Sequence, residues 1–492
     1  MKINLADKIT TQDTIAVGIW KSISGDCNYN QELPKEILDI VKYTLNHELE
    51  SYKETYQKIF CLKKGRGFVK ILVWGLGEQT EDISVSLRNA AANLVRFCIK
   101  EKLQNLSCIL PNNELLFFDY NFQALLEGFY LGNYCFDQYK SKKEISKLQT
   151  LTIAAKTVPV ENFSTINKTA EILSKNVILA RDLTNMPANE LNPKKIAKLA
   201  EKMVKKLPLK INVLSEKELQ KNNLNALLAV ASGSTNSPYM IVLNYQGAPE
   251  NKEVLGLVGK GVTFDSGGIS LKPAEGMQEM KDDMAGAATV LGSILAIAEL
   301  GLSCNVLAVI PCVENMPSGN AYRPGDIITA MNGKTIEIIS TDAEGRLILA
   351  DALCYAENFG ATKIIDVATL TGACMVALGQ VYAGSITNSM EFHDLLSTAS
   401  KKTDEKLWLM PNDQEYKKLL KSEFADLKNS GGRFAGMISA GLFLEEFVSK
   451  NWIHIDIAPT ATVPENNGYI SKGATGYGVR LLVQLVQEVF KC

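Results

Sequence analysis

The stretch EVLGLVGKGVTFDSGGISLKP, residues 253–273, decides the fold. It opens with a short, nearly continuous apolar run and then turns polar, placing Lys260, Asp265 and Lys272 just past that run. Alternating apolar and polar residues would mark a strand with one wet face. An unbroken apolar run bounded by glycine marks a strand buried on both. The pattern recurs in KINVL, YMIVLNY, CNVLAVIP, KTIEIIS, TKIIDVAT and IHIDIA, with helical periodicity between most of them. Buried strands alternating with helices predict an α/β domain whose mostly parallel sheet carries helices on both faces. In such sheets ligands bind beyond the carboxyl ends of the strands.

Upstream, TIAVGIW (14–20), FVKILVW (68–74), SCIL (107–110) and LTIAA (151–155) predict further strands, with helical patterns at 80–103 and 116–133. These form an N-terminal α/β domain over residues 1–160. Residues 161–187 read as a connecting helix ending at Asn185-Met186-Pro187, after the Lys-rich stretch KSKKEISK (140–147). The second domain, 188–492, opens with a helix capped by Asn192 with Pro193 at its first position. A chain of 492 residues is long enough for two domains with a core each.

Composition excludes several functions. Hydrophobic residues make up 46% and charged residues 22%, as in soluble globular proteins, and net charge is −2. That charge gives no global attraction to nucleic acid or to an anionic membrane. The N-terminus, MKINLADKITTQDTIAVGIW, lacks the apolar core and cleavage site of a signal peptide. No apolar run approaches the roughly 20 residues of a membrane span. The ten cysteines are scattered without a C-x-x-C pair, which favours buried free thiols in a reducing cytoplasm. The three histidines, His47, His393 and His454, form no zinc motif, and no G-x-S-x-G elbow exists. His454 sits in an apolar strand and reads as a core residue. Lys260 in VGKG does not fit a phosphate-binding loop, because Val254 stands where the first glycine should be. Arginine is rare, eight against 44 lysines, and four of the eight, Arg181, Arg346, Arg433 and Arg480, lie in Gly- or Asp-flanked stretches, which suggests Arg is kept where a planar fork matters.

Four segments carry chemistry. Lys260, Asp265 and Lys272 follow one strand, and Asp282 and Asp283 stand at the mouth of the helix in EMKDDMAGAATVLGSILAIAEL. KTIEIIS runs into STDAEGRLILADAL (340–353), which sets Asp342, Glu344 and Arg346 at alternate positions. KIIDVATLTGAC ends in Thr369, Leu370, Thr371 and Gly372. The strand-end rule lets all of these converge on one side of one sheet. Alternation along a strand would point Asp342, Glu344 and Arg346 the same way. Clustered carboxylates repel one another and pay desolvation, a cost that a divalent cation removes. Oxygen donors suit Mg2+ and Mn2+, and Zn2+ also accepts carboxylates. Four acidic groups suffice for two ions if some bridge, and two metals about 3.5–4 Å apart activate water and polarise a carbonyl or phosphoryl oxygen. Lys272 and Arg346 remain as cations for an oxyanion. Asp282 reads as an ordinary helix-mouth charge beside a functional Asp283.

KGVTFDSGGISLKP (260–273), M-x-x-M-K-x-D-M-A-G-A-A (277–288) and STDAEGRLILAD (340–351) resemble the signature segments of the leucyl (cytosol) aminopeptidase family. The likeness continues through ARDLTNMPANELNP (180–193), NSGGRFAGMISAGLFLEEF (429–447) and GATGYGVRLL (473–482). The resemblance implies a metalloaminopeptidase, a hydrolase that removes N-terminal residues, Leu-like ones preferred, from peptides. It implies two divalent ions per subunit, Mn2+ or Zn2+ with Mg2+ also accommodated. Lys260, Asp265, Asp283 and Glu344 would hold one; Asp265, Asp342 (side chain and carbonyl) and Glu344 would hold the other. Lys272 would stabilise the gem-diolate, and Arg346 would anchor a bicarbonate general base. Met280, Thr369, Leu370 and Ala458 would line the pocket for the N-terminal side chain. The resemblance also implies a cytoplasmic homohexamer, a dimer of trimers whose sites face an interior cavity, with the N-terminal domain in an oligomerisation or regulatory role. Two letters depart from the family pattern: Ser340 replaces an Asn, and Pro459 replaces a Gly beside the expected pocket.

Two rivals have distinct signatures. One is another dinuclear metallohydrolase, such as a Cys-Gly dipeptidase or a phosphatase. The other is an added DNA-binding architectural role, against which the net charge and the lack of an evident basic stripe both weigh.

Overall fold

The computed structural model describes residues 1–6, 14–48, 50–80, 82–142, 147–154 and 160–492. The fold is α/β, in two compact units: Met1–Lys175 with Glu465–Lys472, and Asn176–Pro464 with Gly473–Cys492. Residues 143–146 of the Lys-rich stretch and residues 155–159 lie outside the described residues.

The first unit holds β1 (Lys2–Ala6), β2 (Thr14–Lys21), β3 (Cys27–Asn28), β4 (Gln57–Lys64), β5 (Gly67–Glu78), β6 (Asn105–Ile109) and β7 (Thr150–Ala154). They form one sheet in the order β1-β7-β6-β2-β5-β4, with β3 beside β2. Pairing is parallel from β1 through β5, and β4 closes an antiparallel hairpin on β5. The helices are α1 (Lys35–His47), α2 (Ser84–Lys100), α3 (Asp119–Gly132) and α4 (Val160–Asn185), the last crossing into the second unit. The two-residue period of β2 sets the layers. Ile15, Val17 and Ile19 pack with Ile37 and Val41 of α1, while Ala16 and Trp20 pack with Leu87 of α2 and Phe129 of α3. Each fully buried aliphatic contributes about 1.5–3 kcal/mol. A backbone hydrogen bond nets about 1 kcal/mol, so packing outweighs the ladder in holding the strand's register. The excursion Glu465–Lys472 belongs to this unit because Arg96 donates to the carbonyls of Gly468 and Ile470, and Asn89 accepts from Tyr469 N–H.

The second unit has strands β8 (Leu209–Leu214), β9 (Tyr239–Gln246), β10 (Leu255–Gly259), β11 (Gly261–Asp265), β12 (Asn305–Asn315), β13 (Ile327–Thr329), β14 (Thr335–Glu337), β15 (Lys363–Ala368), β16 (Ala383–Thr387), β17 (Leu407–Leu409), β18 (Leu427–Lys428), β19 (Asn451–Asp456), β20 (Thr462–Val463) and β21 (Gly473–Ala474). Its helices are α5 (Pro193–Val204), α6 (Glu216–Lys221), α7 (Asn225–Ala231), α8 (Ala285–Leu300), α9 (Gly345–Asn358), α10 (Gly372–Leu378), α11 (Met390–Thr403), α12 (Gly436–Glu445) and α13 (Val479–Phe490). The main sheet runs β17-β16-β19-β15-β10-β12-β9-β8, with β11 alongside β12. Its centre, β19-β15-β10-β12, is parallel. On one face α7, α9 and α12 pack against Val258, Val309, Ile364 and Trp452. On the other, α8 lies against β10, β12 and β15 and meets α13. The helical stretch Met277–Leu300 is long and apolar enough to cross a membrane, yet 89% of its apolar window is buried in protein, as suits a core helix that is greasy all round.

Three of the predicted strands depart from a simple parallel alternation. KINVL and YMIVLNY, now β8 and β9, pair antiparallel at one edge. KTIEIIS contributes only β14, and that to a separate three-stranded sheet, β13-β14-β18. An Asn332-Gly333 turn, with Gly333 at φ +87°, folds β13 back on β14 as a hairpin and takes the segment out of the main sheet.

Candidate metal centre

Lys260 occupies the break between β10 and β11. Its N–H donates to the Val367 carbonyl at 3.1 Å, and its own carbonyl accepts from Ala287 N–H at 2.8 Å, tying β15 and the start of α8 to one point. That closeness requires glycine at two neighbours. A Cβ at Gly286 would stand 2.1 Å from the Val367 oxygen, and one at Gly345 would stand 2.5 Å from Lys260 Cε.

The Lys260 ammonium then meets Asp283 Oδ1 at 2.6 Å, Glu344 Oε1 at 2.9 Å and the Thr369 carbonyl at 2.9 Å. Lys272 bridges Asp265 Oδ2 at 2.8 Å and Asp342 Oδ1 at 2.6 Å. All five predicted ligands and Lys272 are therefore in one cluster. Lys260, Asp265, Asp283 and Glu344 are buried; Asp342 is exposed. Burial alone would lower the pKa of both lysines, but the carboxylates around them win and raise it. Burial raises Asp283, Glu344 and Asp342, with neighbouring carboxylates pushing the same way. Asp282, expected to be a plain helix-mouth charge, is half-buried and pushed up to about 6 by desolvation.

Asp342, Glu344 and Arg346 do not lie on a strand. Asp342 is in a turn, Glu344 caps α9 and Arg346 is in its first turn, so strand alternation is not what aligns them. The turn is held by residues from several segments. Thr341 Oγ1 donates to the Gly267 carbonyl at 2.6 Å and accepts Ser270 N–H at 2.8 Å. Asn315 donates to both Asp265 Oδ1 (2.8 Å) and the Thr341 carbonyl (3.0 Å), and Tyr322 O–H reaches that carbonyl at 2.7 Å. Ser340 Oγ accepts the Asp342 N–H at 3.2 Å, a local turn that an Asn side chain also makes. Arg346 is buried, donates from Nη1 to the Asn429 carbonyl at 2.8 Å, and is pushed down to about 10 by desolvation. Its Nε has no partner among the described residues.

Three of the four expected pocket residues come together. Leu370 N–H and Ala458 N–H both donate to Asp456 Oδ1, at 3.0 and 3.1 Å, and Thr371 O–H donates to Oδ2 at 2.7 Å. Thr369 O–H reaches Asp283 Oδ1 at 2.8 Å. Met280 lies half-buried on the short helical segment Met277–Asp282, with no hydrogen bond to the other three among the described residues. The histidines are occupied elsewhere: His393 with Ser385, His454 with Asp366 at 2.6 Å, and His47 with the Tyr43 carbonyl. All ten cysteines are free thiols. Asn315, Thr341, Asn429 and Asp456 do not stand out in the sequence: Thr341, Asn429 and Asp456 lie inside quoted segments, Asn315 lies shortly after one, and only Asp456 is charged.

The donor set fits a divalent metal. Carboxylate oxygens of Asp265, Asp342 and Glu344 lie within 4.8 Å of one another. Asp283 Oδ2 and Glu344 Oε2 are buried and lack any hydrogen-bond partner among the described residues. A buried carboxylate oxygen left without a donor is costly unless a cation meets it.

Comparison with known proteins gives one consistent result. The profile described as "Cytosol aminopeptidase family, catalytic domain" matches residues 178–483, and that of the family's N-terminal domain matches 56–143. A protein of Alkaliphilus metalliredigens named "Probable cytosol aminopeptidase" is 40% identical over 487 residues, 97% of each chain. One of the same name from Solibacter usitatus is 45% identical over 422 residues, covering 85% of this chain and 87% of its own. The solved structure titled "Bottromycin maturation enzyme BotP in complex with Mn" is similar at TM-score 0.84 and 30% identity, over 97% of this chain and 99% of that one.

Proposed function

Because the chain belongs to the cytosol aminopeptidase family, and is a metal-dependent aminopeptidase on that ground, we propose that it removes N-terminal residues, Leu preferred within a broad range, from peptides using two divalent ions. The observation that carries this reading is the pair of buried oxygens, Asp283 Oδ2 and Glu344 Oε2, that have no partner among the described residues, inside a cluster already holding Asp265 and Asp342. Lys260, Asp265, Asp283 and Glu344 would hold one ion, and Asp265, Asp342 and Glu344 the other. The Mn complex of BotP makes Mn2+ the natural first ion to supply, with Zn2+ and Mg2+ as alternatives.

When bound, the ions supply Lewis acidity for the scissile carbonyl and for the attacking water. Lys260 would serve as a ligand only after losing a proton, which cations among these carboxylates favour by inverting the local field. Lys272 Nζ, half-exposed beside Asp342, would turn its N–H groups to the oxyanion that develops on the substrate. Arg346 would hold a bicarbonate as general base, in a site where no histidine stands ready. The Thr369–Leu370 backbone, pinned by Asp456, would form with Ala458 and Met280 the wall for the N-terminal side chain.

The proposed setting is a cytoplasmic homohexamer, a dimer of trimers, with the N-terminal domain in assembly or regulation. Sedimentation of the purified 54.0 kDa chain should give a hexamer; a monomer would remove this part of the reading. Activity is tested on Leu-p-nitroanilide with Mn2+ and then with chelator, alongside Met, Arg and Cys-Gly substrates. Metal-dependent release, fastest with Leu, is expected. Release from Cys-Gly alone would favour the dipeptidase reading, and no release would refute the proposal.

A further inference from the structure

We propose that Asn429 is a positioning residue of this site: its side-chain amide fixes the 339–343 turn that carries Asp342 into Glu344, and its carbonyl fixes the Arg346 guanidinium. The inference rests on the ligand reading above.

The parallel pair β14–β18 ends at Glu337 and Lys428, and the Asn429 N–H adds one more bond to the Glu337 carbonyl at 3.0 Å. Beyond that point the backbones part, and the Asn429 side chain takes over the ladder. Oδ1 accepts from Ile339 N–H at 2.8 Å and Ser340 N–H at 3.3 Å. Nδ2 donates to the Ser340 carbonyl at 2.7 Å and the Ala343 carbonyl at 3.4 Å. A primary amide reproduces the acceptor and donor of a peptide group, so Asn suits the place as no charged residue would. Asn429 is fully buried, and none of its polar side-chain atoms is left over. Its carbonyl accepts Arg346 Nη1 at 2.8 Å. One residue thus ties both ends of the turn and the cation beside it. Such outer partners set how well ligands are pre-arranged, and their loss commonly weakens metal binding 10–100-fold.

The test compares Asn429→Ala, Asn429→Asp and Glu344→Ala with the natural chain, reading Mn2+ affinity from the electron paramagnetic resonance of free Mn2+, and kcat and KM on Leu-p-nitroanilide. Thermal unfolding of each chain in chelator reports the fold alone. Asn429→Ala should weaken Mn2+ binding on the order of 10-fold or more and lower kcat more than it raises KM, with unfolding in chelator close to that of the natural chain. Asn429→Asp, which keeps the acceptor and loses the donors, should recover part of the affinity. The proposal is overturned if Asn429→Ala binds Mn2+ as the natural chain does while Glu344→Ala does not. It is equally overturned if Ala and Asp variants lose affinity alike in step with a collapse of the fold. If Glu344→Ala keeps full Mn2+ affinity, the ligand reading fails instead, and this inference falls with it.

Discussion

A methyl group on Gly345 would meet Lys260 at 2.5 Å from Cε and 2.7 Å from Nζ, nearer than real Cβ contacts come. Lys260 can move only by giving up its contacts to Asp283, Glu344 and the Thr369 carbonyl. Gly345→Ala should therefore cut kcat by about 10-fold or more, since misplacing a group by an ångström can cost far more than its contact energy, with far-UV circular dichroism unchanged. Undiminished turnover would mean that the placement of Lys260 is not critical. At this scale the charged members were legible only as a set: any one of Asp265, Asp283, Asp342 and Glu344 alone reads as an ordinary turn or helix-mouth charge, and it is their recurrence at converging segments that does not. The neutral supports were not. Asn315 bonds Asp265 across β11 and β12, and Thr341 stitches two turns whose contact lies far apart along the chain. Nothing in local composition distinguishes such an amide or hydroxyl from one in an ordinary loop. Ser340 keeps a local bond at the departed position, its hydroxyl accepting Asp342 N–H as an Asn side chain can.

Elements were legible where burial wrote an apolar run, as in β10, β12, β15 and β19, and less so where packing is one-sided. β4 is an edge strand, half-exposed and lysine-bearing, and its sequence carries no clean period. KTIEIIS misled because its apolar letters serve a small side sheet, while the Asn-Gly signal for the hairpin lies just upstream. The helix it leads to, α9, is pinned by Asp351, buried, which accepts Leu227 N–H of α7 at 3.0 Å and Met331 N–H of the hairpin turn at 2.8 Å. Removing it strands both donors in the core, so Asp351→Ala should cost about 2–4 kcal/mol by urea unfolding. Burial pushes this carboxyl up to about 7, above about 3.9 in the unfolded chain. A raised carboxyl contributes stability that is complete below the unfolded value and is lost as pH rises through the folded one. The gap between natural chain and variant should accordingly narrow from pH 5 to pH 7.5. A gap that stays constant over that range would show that the carboxyl is ionised throughout.

For the whole molecule, the α/β class and two-part organisation follow from length and from the alternation of strand and helix patterns. The excursion Glu465–Lys472 does not follow, because a chain return held by Arg96 and Asn89 leaves no mark on local periodicity. The strand-end rule delivered half of the site: Lys260, Thr369 and Ala458 stand past β10, β15 and β19, and Asp265 is the last residue of β11. Asp342 and Glu344 arrive from a turn braced by a second sheet, and the cluster exists only because both routes end at the same place. The claim that this cluster is a two-ion centre is tested most directly by equilibrium dialysis of Mn2+ against the natural chain, Asp283→Ala and Glu344→Ala. The account predicts two Mn2+ per natural chain, one in Asp283→Ala, and a loss of tight binding at both positions in Glu344→Ala. Two tightly bound Mn2+ in every chain, or none in the natural one, would contradict it.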